Sequence, residues 1–166
     1  METTKSVYHL HNKLARTRFY MGGYWTFLAT AAETAGQFSL IEANLRQGAE
    51  PPAHTHSYED ESFQLLDGEL LFTVDGQTYA LQKGEFLHLP KGTHHTFKVL
   101  TPTAKVLIHL SPAGLETMFI ELSQPADKLD FPGGTLGPPP EDWLKRAAAL
   151  QEKFGIKHID NRQIKA

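Results

Sequence analysis

Gly48-Ala-Glu-Pro-Pro-Ala-His54-Thr-His56-Ser-Tyr-Glu-Asp-Glu61 is the stretch on which the fold turns, and His95 completes its meaning further along the chain. His54 and His56 are two residues apart. In a β-strand, residues at that spacing point to the same face. If that face lines a cavity, both imidazoles can reach one metal ion. Glu61 adds a carboxylate at the start of the next apolar run, and His95 follows the turn Pro90-Lys91-Gly92. Three nitrogens and one oxygen would make a first shell for a divalent transition metal.

Working outward, short apolar runs alternate with turn residues. Tyr24 to Thr30, Gln37 to Leu45, Ser62 to Leu66 and Glu69 to Val74 read as strands. The second of these alternates around Phe38, Leu40 and Glu42. Asp75-Gly76 is a tight-hairpin signal, because glycine tolerates positive φ. Glu85 to Leu89, His95 to Leu100 and Lys105 to Leu110 complete the series. Short strands at roughly ten-residue spacing, punctuated by Gly and Pro, predict an all-β sandwich or barrel. Two helices are expected afterwards. Ser111-Pro112 reads as the cap and first turn of one, with a stripe of Leu115, Met118, Phe119 and Leu122. Gln124 to Pro140 is a Pro/Gly-rich loop, and Pro140 opens a second helix with Trp143, Ala147, Leu150 and Phe154 on one face and Gly155 as its stop.

Composition narrows the function classes. The 166 residues suit one domain, 40% hydrophobic and 21% charged. With 16 basic and 19 acidic residues well mixed, no basic stripe suggests nucleic acid. No apolar run approaches the roughly 20 residues of a membrane span. The N-terminal Met-Glu-Thr-Thr-Lys leads into a polar stretch without the apolar core of a signal peptide, and no fused DNA-binding segment is expected. There is no cysteine, so any metal must be held by His, carboxylate or water. That absence also fits a cytoplasmic protein.

The order of these residues resembles the cupin superfamily. Its first motif is matched by Gly48, His54, His56, Glu61 and Gly68, and its second by Gly84, Pro90, Gly92 and His95, with Val99 where the family has Asn. The resemblance implies a single cupin jelly-roll β-barrel with short C-terminal helices. It implies one divalent metal inside (Fe, Mn, Ni, Co, Cu or Zn), bound by His54, His56, Glu61 and His95. Residues 1–20 are then an N-terminal arm, 21–123 the barrel, and 124–166 the loop and C-terminal helix, packed on the barrel or on a partner. Cupins commonly pair through a sheet edge, so a homodimer is expected.

A lone His-x-His is usually plain surface. His9-x-His11 has that spacing without carboxylate or turn frame, and is assigned to solvent. Glu59 and Asp60 compete with Glu61, which the motif spacing favours; the same spacing selects His95 over His94. Phe63 shares a strand face with Glu61, and Phe97 with His95, so both would fill the barrel or touch a substrate. His88 and His109 are further candidate substrate contacts, with a half-buried structural role as the plainer alternative.

Within the family, the chain is similar to the small single-barrel proteins resembling quercetin 2,3-dioxygenase. That resemblance implies oxidative cleavage of a flavonol-like or other enolisable aromatic substrate with O2, with Glu61 as ligand and base. The alternatives are a non-redox isomerase or lyase acting on a small oxygenated compound, and a non-catalytic cupin that binds a small ligand or metal. A purely assembling cupin would not need all four ligand residues.

Overall fold

The donor-bearing strands sit where two antiparallel sheets face one another. The computed structural model describes residues 7–158. After a single 3-10 turn, the strands are β1 (Thr17–Tyr20), β2 (Gly23–Ala29), β3 (Ser39–Arg46), β4 (Thr55–His56), β5 (Asp60–Asp67), β6 (Leu70–Val74), β7 (Gln77–Leu81), β8 (Phe86–Leu89), β9 (His95–Val99), β10 (Thr103–Ser111), β11 (Gln124–Pro125) and β12 (Ile156–Lys157). The helices are α1 (Ala31–Thr34), α2 (Glu116–Leu122) and α3 (Glu141–Lys153). One sheet has the order β11-β1-β2-β3-β10-β5-β8, and the other β7-β6-β9. A bridge between His54 and His95 adds the β4 segment beside β9, and β12 pairs with β4. The result is an all-β jelly roll.

Period-two alternation decides which faces meet. On β10, Ala104, Val106, Ile108 and Leu110 are buried, while Lys105, Leu107 and His109 point outward. Opposite them on β5 stand Leu65, Phe63 and Glu61, so the carboxylate of Glu61 points where the core points. On β3 the inward face is Ile41, Ala43 and Leu45. The expected alternation around Phe38, Leu40 and Glu42 is therefore the outer face. Register explains why: Ile41 and Ala43 lie across from Ile108 and Val106, whereas Glu42 lies outside and meets Lys13 and Lys105 at 2.9 and 3.3 Å.

Turn chemistry fixes the strand ends. Val74 pairs with Gln77 across Asp75 and Gly76, both at positive φ (47° and 82°), the type I′ geometry that matches strand twist. Gly68 has φ 85°, and a Cβ there would lie 2.7 Å from the Thr103 carbonyl oxygen, so no other residue fits without backbone movement.

Several elements differ from the sequence expectation. β1 lies inside the stretch read as an arm; its residues pair with β2 and β11. The first of the two expected helices begins at Glu116 rather than at Ser111-Pro112, because Ser111 is still in β10 opposite Asp60 and its hydroxyl donates to the Gln37 carbonyl. Its stripe of Leu115, Met118, Phe119 and Leu122 is nonetheless buried as expected. After α3, Gly155 at φ 71° turns the chain into β12, which returns to the His56 strand. No helix among the described residues is long and apolar enough to cross a membrane.

Candidate metal centre

Backbone pairing delivers the donors. His54 and His95 exchange two N–H···O=C bonds, each 3.0 Å long. His56 is held on one side by Ile156 of β12, and on the other its carbonyl accepts the Gly92 N–H at 2.8 Å. Glu61 lies between Leu89 and Leu110 in the larger sheet. The four side chains are 8%, 3%, 2% and 6% exposed (His54, His56, His95, Glu61), so each polar group has to find its partner inside the protein.

Their donor atoms converge within 4.8 Å of one another. His54 Nε2 lies 3.1 Å from His56 Nε2, His56 Nε2 lies 3.2 Å from Glu61 Oε2, and Glu61 Oε2 lies 3.1 Å from His95 Nε2. With metal–ligand bonds of about 2.1 Å, neighbouring donors on an octahedron are about 3.0 Å apart. The contacts meet that requirement. The hydrogen-bond network supports it too. His54 Nδ1 lies 2.9 Å from the Pro52 carbonyl and His95 Nδ1 lies 3.0 Å from the Thr93 carbonyl. Each carbonyl assigns the ring proton to Nδ1. His95 Nε2 and Glu61 Oε2 are in hydrogen-bond contact at 3.1 Å, and a bound cation would stand between them, taking the nitrogen lone pair of one and the charge of the other. The set is too rich in nitrogen for Ca or Mg and suits a divalent transition metal.

Protonation follows the same logic. Burial, then the charge of His95, lowers His54 to about 4 against the pull of Glu61, so its ring is neutral near pH 7. Burial alone would raise Glu61, but the charges and hydrogen bonds of His56 and His95 outweigh it and hold the carboxyl well below the usual range. At His56 burial would lower the pKa, but attraction to Glu61, its hydrogen bond and the charge of Glu59 raise it.

The donors stand in a cavity of about 790 Å3. Phe63 and Phe97 line it, together with Tyr20, Trp25, Phe119 and Trp143. Trp25 and Phe119 make an edge-on contact at 5.2 Å, and Tyr20 packs against both. Leu136, Pro139, Pro140 and one side of α3 line the remainder. These aromatics come from β1, β2 and the helices. Nothing local in the sequence marks them as cavity residues, because the contacts that assemble them are long-range.

Two candidate substrate contacts lie apart from the cavity. His88 and His109 flank Ser62, which points away from Glu61 and Phe63. His88 bonds Ser62 Oγ at 2.9 Å and is exposed; His109 stacks on Phe38 at 5.4 Å. Both lie on the outer face, and neither lines the cavity. Among the competing carboxylates, Asp60 turns outward and accepts the Lys91 N–H at 2.9 Å, while Glu59 is buried on the far edge of the His56 ring. His94 lies outside the cluster. His9 and His11 are exposed. Val99 lines the cavity and is 2% exposed, an apolar surface where the family motif has Asn.

A family model described as the cupin domain matches residues 41–111, from the inner face of β3 through the end of β10. Over these residues the barrel matches the cupin domain. The quercetin 2,3-dioxygenase of Bacillus subtilis (strain 168) is 31% identical over 105 residues, 63% of this chain and 31% of that protein. Polyketide synthase CurC of Streptomyces cyaneus is 32% identical over 84 residues, 50% of this chain and 53% of that protein. The chain thus spans about a third to a half of these curated relatives. Among solved structures, an RmlC-like cupin from Shewanella frigidimarina superposes with a TM-score of 0.58 at 18% identity, over 68% of this chain and 96% of that one. That likeness is one of fold. The cupin domain here keeps the motif positions Gly48, His54, His56, Glu61, Gly68, Gly84, Pro90, Gly92 and His95.

Proposed function

We propose that this cupin is a metal-dependent dioxygenase that cleaves a flavonol-like or other enolisable aromatic compound with O2. The observation that carries the reading is the convergence of three imidazoles and one carboxylate inside an aromatic-lined cavity of about 790 Å3. His54, His56, Glu61 and His95 would hold one divalent transition metal, which when bound supplies Lewis acidity and redox capacity for dioxygen chemistry. Four protein ligands leave room on a six-coordinate ion for outside molecules. The likeness to the Bacillus dioxygenase supports the same reading.

The chain's own groups have defined tasks in it. Phe63 and Phe97 flank the cluster and would stack against a flat ring, with Tyr20, Trp25 and Phe119 forming the wall beyond. The aromatic walls would shield the cluster from part of the solvent, which would strengthen charge interactions inside. Glu61 Oε2 would take the acidic hydroxyl proton of the substrate, acting as ligand and base. His56 and His95 keep it ionised and so without a proton of its own, although the same contacts lower its basicity. We further propose a cytoplasmic homodimer: β8 ends the larger sheet with Phe86 58% exposed, and an unprotected edge of that kind favours pairing.

The likeness to CurC favours a second reading, a non-redox isomerase or lyase on a small oxygenated, polyketide-like compound. Oxygen uptake separates the two. Protein loaded in turn with Fe, Mn, Ni, Co and Cu is expected to consume O2 with at least one flavonoid or catechol. Metal-dependent turnover under nitrogen would favour the second reading. Ligand-induced melting shifts without product, across the whole panel, would leave a binding protein.

A further inference from the structure

The geometry points to Glu59 as the positioning residue for His56, receiving its Nδ1–H and fixing its ring toward a bound metal; this rests on the metal-binding reading above. The other two rings show why His56 needs such a partner. His54 Nδ1 meets the Pro52 carbonyl at 2.9 Å and His95 Nδ1 meets the Thr93 carbonyl at 3.0 Å. In each case the acceptor lies two residues upstream. The same device at His56 would require the His54 carbonyl. That carbonyl already accepts the His95 N–H at 3.0 Å, in the bridge that joins the two donor segments. With that carbonyl engaged in the strand pairing, His56 Nδ1 has no backbone acceptor in the structure.

What remains is a pair of orphans. His56 Nδ1 and Glu59 Oε2 are both buried without a hydrogen-bond partner, and they face each other at 3.8 Å. Glu59 is 4% exposed, and an acid that buried is rarely left unpaired. A movement of about 1 Å would bring the two atoms to charge-assisted hydrogen-bond distance. When His56 Nε2 donates its lone pair to a cation, the ring proton has to sit on Nδ1, where Glu59 faces it. Glu59 is then no rival ligand: it stands at the opposite edge of the ring. Formal charge agrees, since a divalent ion with the carboxylates of Glu59 and Glu61 sums to zero inside the protein. Glu116, a further buried acid close by, is already satisfied by the N–H groups of Ala31 (2.7 Å) and Gly114 (2.6 Å).

The main chain of His56 is held independently of Glu59, by β12 and by the Gly92 N–H. Substitution at Glu59 should consequently act on the ring and leave the strand in place. The test uses the full chain, Glu59→Gln, which keeps a neutral acceptor, and Glu59→Leu, which removes it. Co(II) affinity is measured by competition with a chelator, alongside the visible absorption of the bound Co(II) and the melting temperature of the metal-free protein. The Leu variant is expected to bind Co(II) about 10–100-fold more weakly, the range for losing such an outer partner, with the Gln variant in between and the Co(II) spectrum altered in the same order. A Leu variant that folds, binds within twofold of the parent and keeps its spectrum overturns the assignment. If the Leu variant does not fold, the Gln variant decides: a loss above threefold supports Glu59, and parity with an unchanged spectrum overturns it. A parent chain that binds no Co(II), Ni(II) or Zn(II) overturns the metal reading and this inference together.

Discussion

The two ends of the cavity are built in different ways. At the donor end, all four polar side chains come from one compact stretch, His54 to His95, in which glycine and proline turns deliver each residue to its place. At the aromatic end, Tyr20, Trp25, Phe119 and Trp143 come from β1, β2, α2 and α3. The first end has a sequence signature because it depends on spacing. The second depends on packing, which many sequences could satisfy. Chemistry and shape are thus separable here: the donor end would set what is done, and the aromatic end what is admitted.

Substitutions should obey that separation. The largest effect is expected for Glu61→Gln, which keeps the size of the side chain but removes the charge between His56 and His95. Metal affinity should fall by at least about 100-fold, beyond the usual cost of losing an outer partner, and any proton abstraction should stop. Calorimetric titration with Ni(II) checks the first; full activity in the variant would exclude Glu61 as the base. Next comes Phe119→Ala on the aromatic wall. Removing a buried ring should cost about 3 kcal/mol of stability in urea melts, with metal affinity unchanged within about twofold. A parallel loss of metal binding would break the division between the two ends.

Gly155→Ala probes the tie between them. A Cβ there would sit 2.6 Å from the Tyr58 ring, on a residue at φ 71°. The expected cost is about 1–3 kcal/mol, through weaker pairing of β12 with β4, and protease should cut first at the C-terminal segment. The smallest effect is expected far from either end. Burial would raise Glu42, but hydrogen bonds and attraction from Lys13 and Lys105 leave it lowered from 4.5. A carboxyl with a depressed folded pKa adds stability above its unfolded pKa and loses it as pH falls through the folded one. Glu42→Gln should therefore cost about 0.5 kcal/mol at pH 7, as a solvent-screened pair, and the difference should vanish in acid. Urea melts at pH 7 and pH 3 measure both.

How much of this could be read from the chain itself follows the same contrast. The jelly roll was legible because turn residues and period-two alternation mark short strands, and the Asp75-Gly76 hairpin declared its own register. The donor cluster was legible because four residues had to keep fixed spacing. The inward face of β3 was not legible, since Ile41, Ala43 and Leu45 are no more apolar in pattern than Phe38 and Leu40 until β10 is laid beside them. For His88 and His109 the sequence left a substrate contact and a structural role both open, and register with Ser62 places them on the outer face. The return of β12 to His56 left no local mark at all, because Ile156-Lys157 is a strand only by virtue of its distant partner. Glu59 was visible as a competing acid, but its service to Nδ1 depends on which carbonyl His95 has already taken.

The most direct measurement is anomalous diffraction from a crystal of the Co(II)-loaded protein, collected on both sides of the cobalt absorption edge. The account predicts one strong peak inside the barrel, about 2.0–2.3 Å from the Nε2 atoms of His54, His56 and His95 and from a carboxylate oxygen of Glu61. A fully loaded crystal with its cobalt elsewhere, or with any of these four side chains turned away from it, would contradict it.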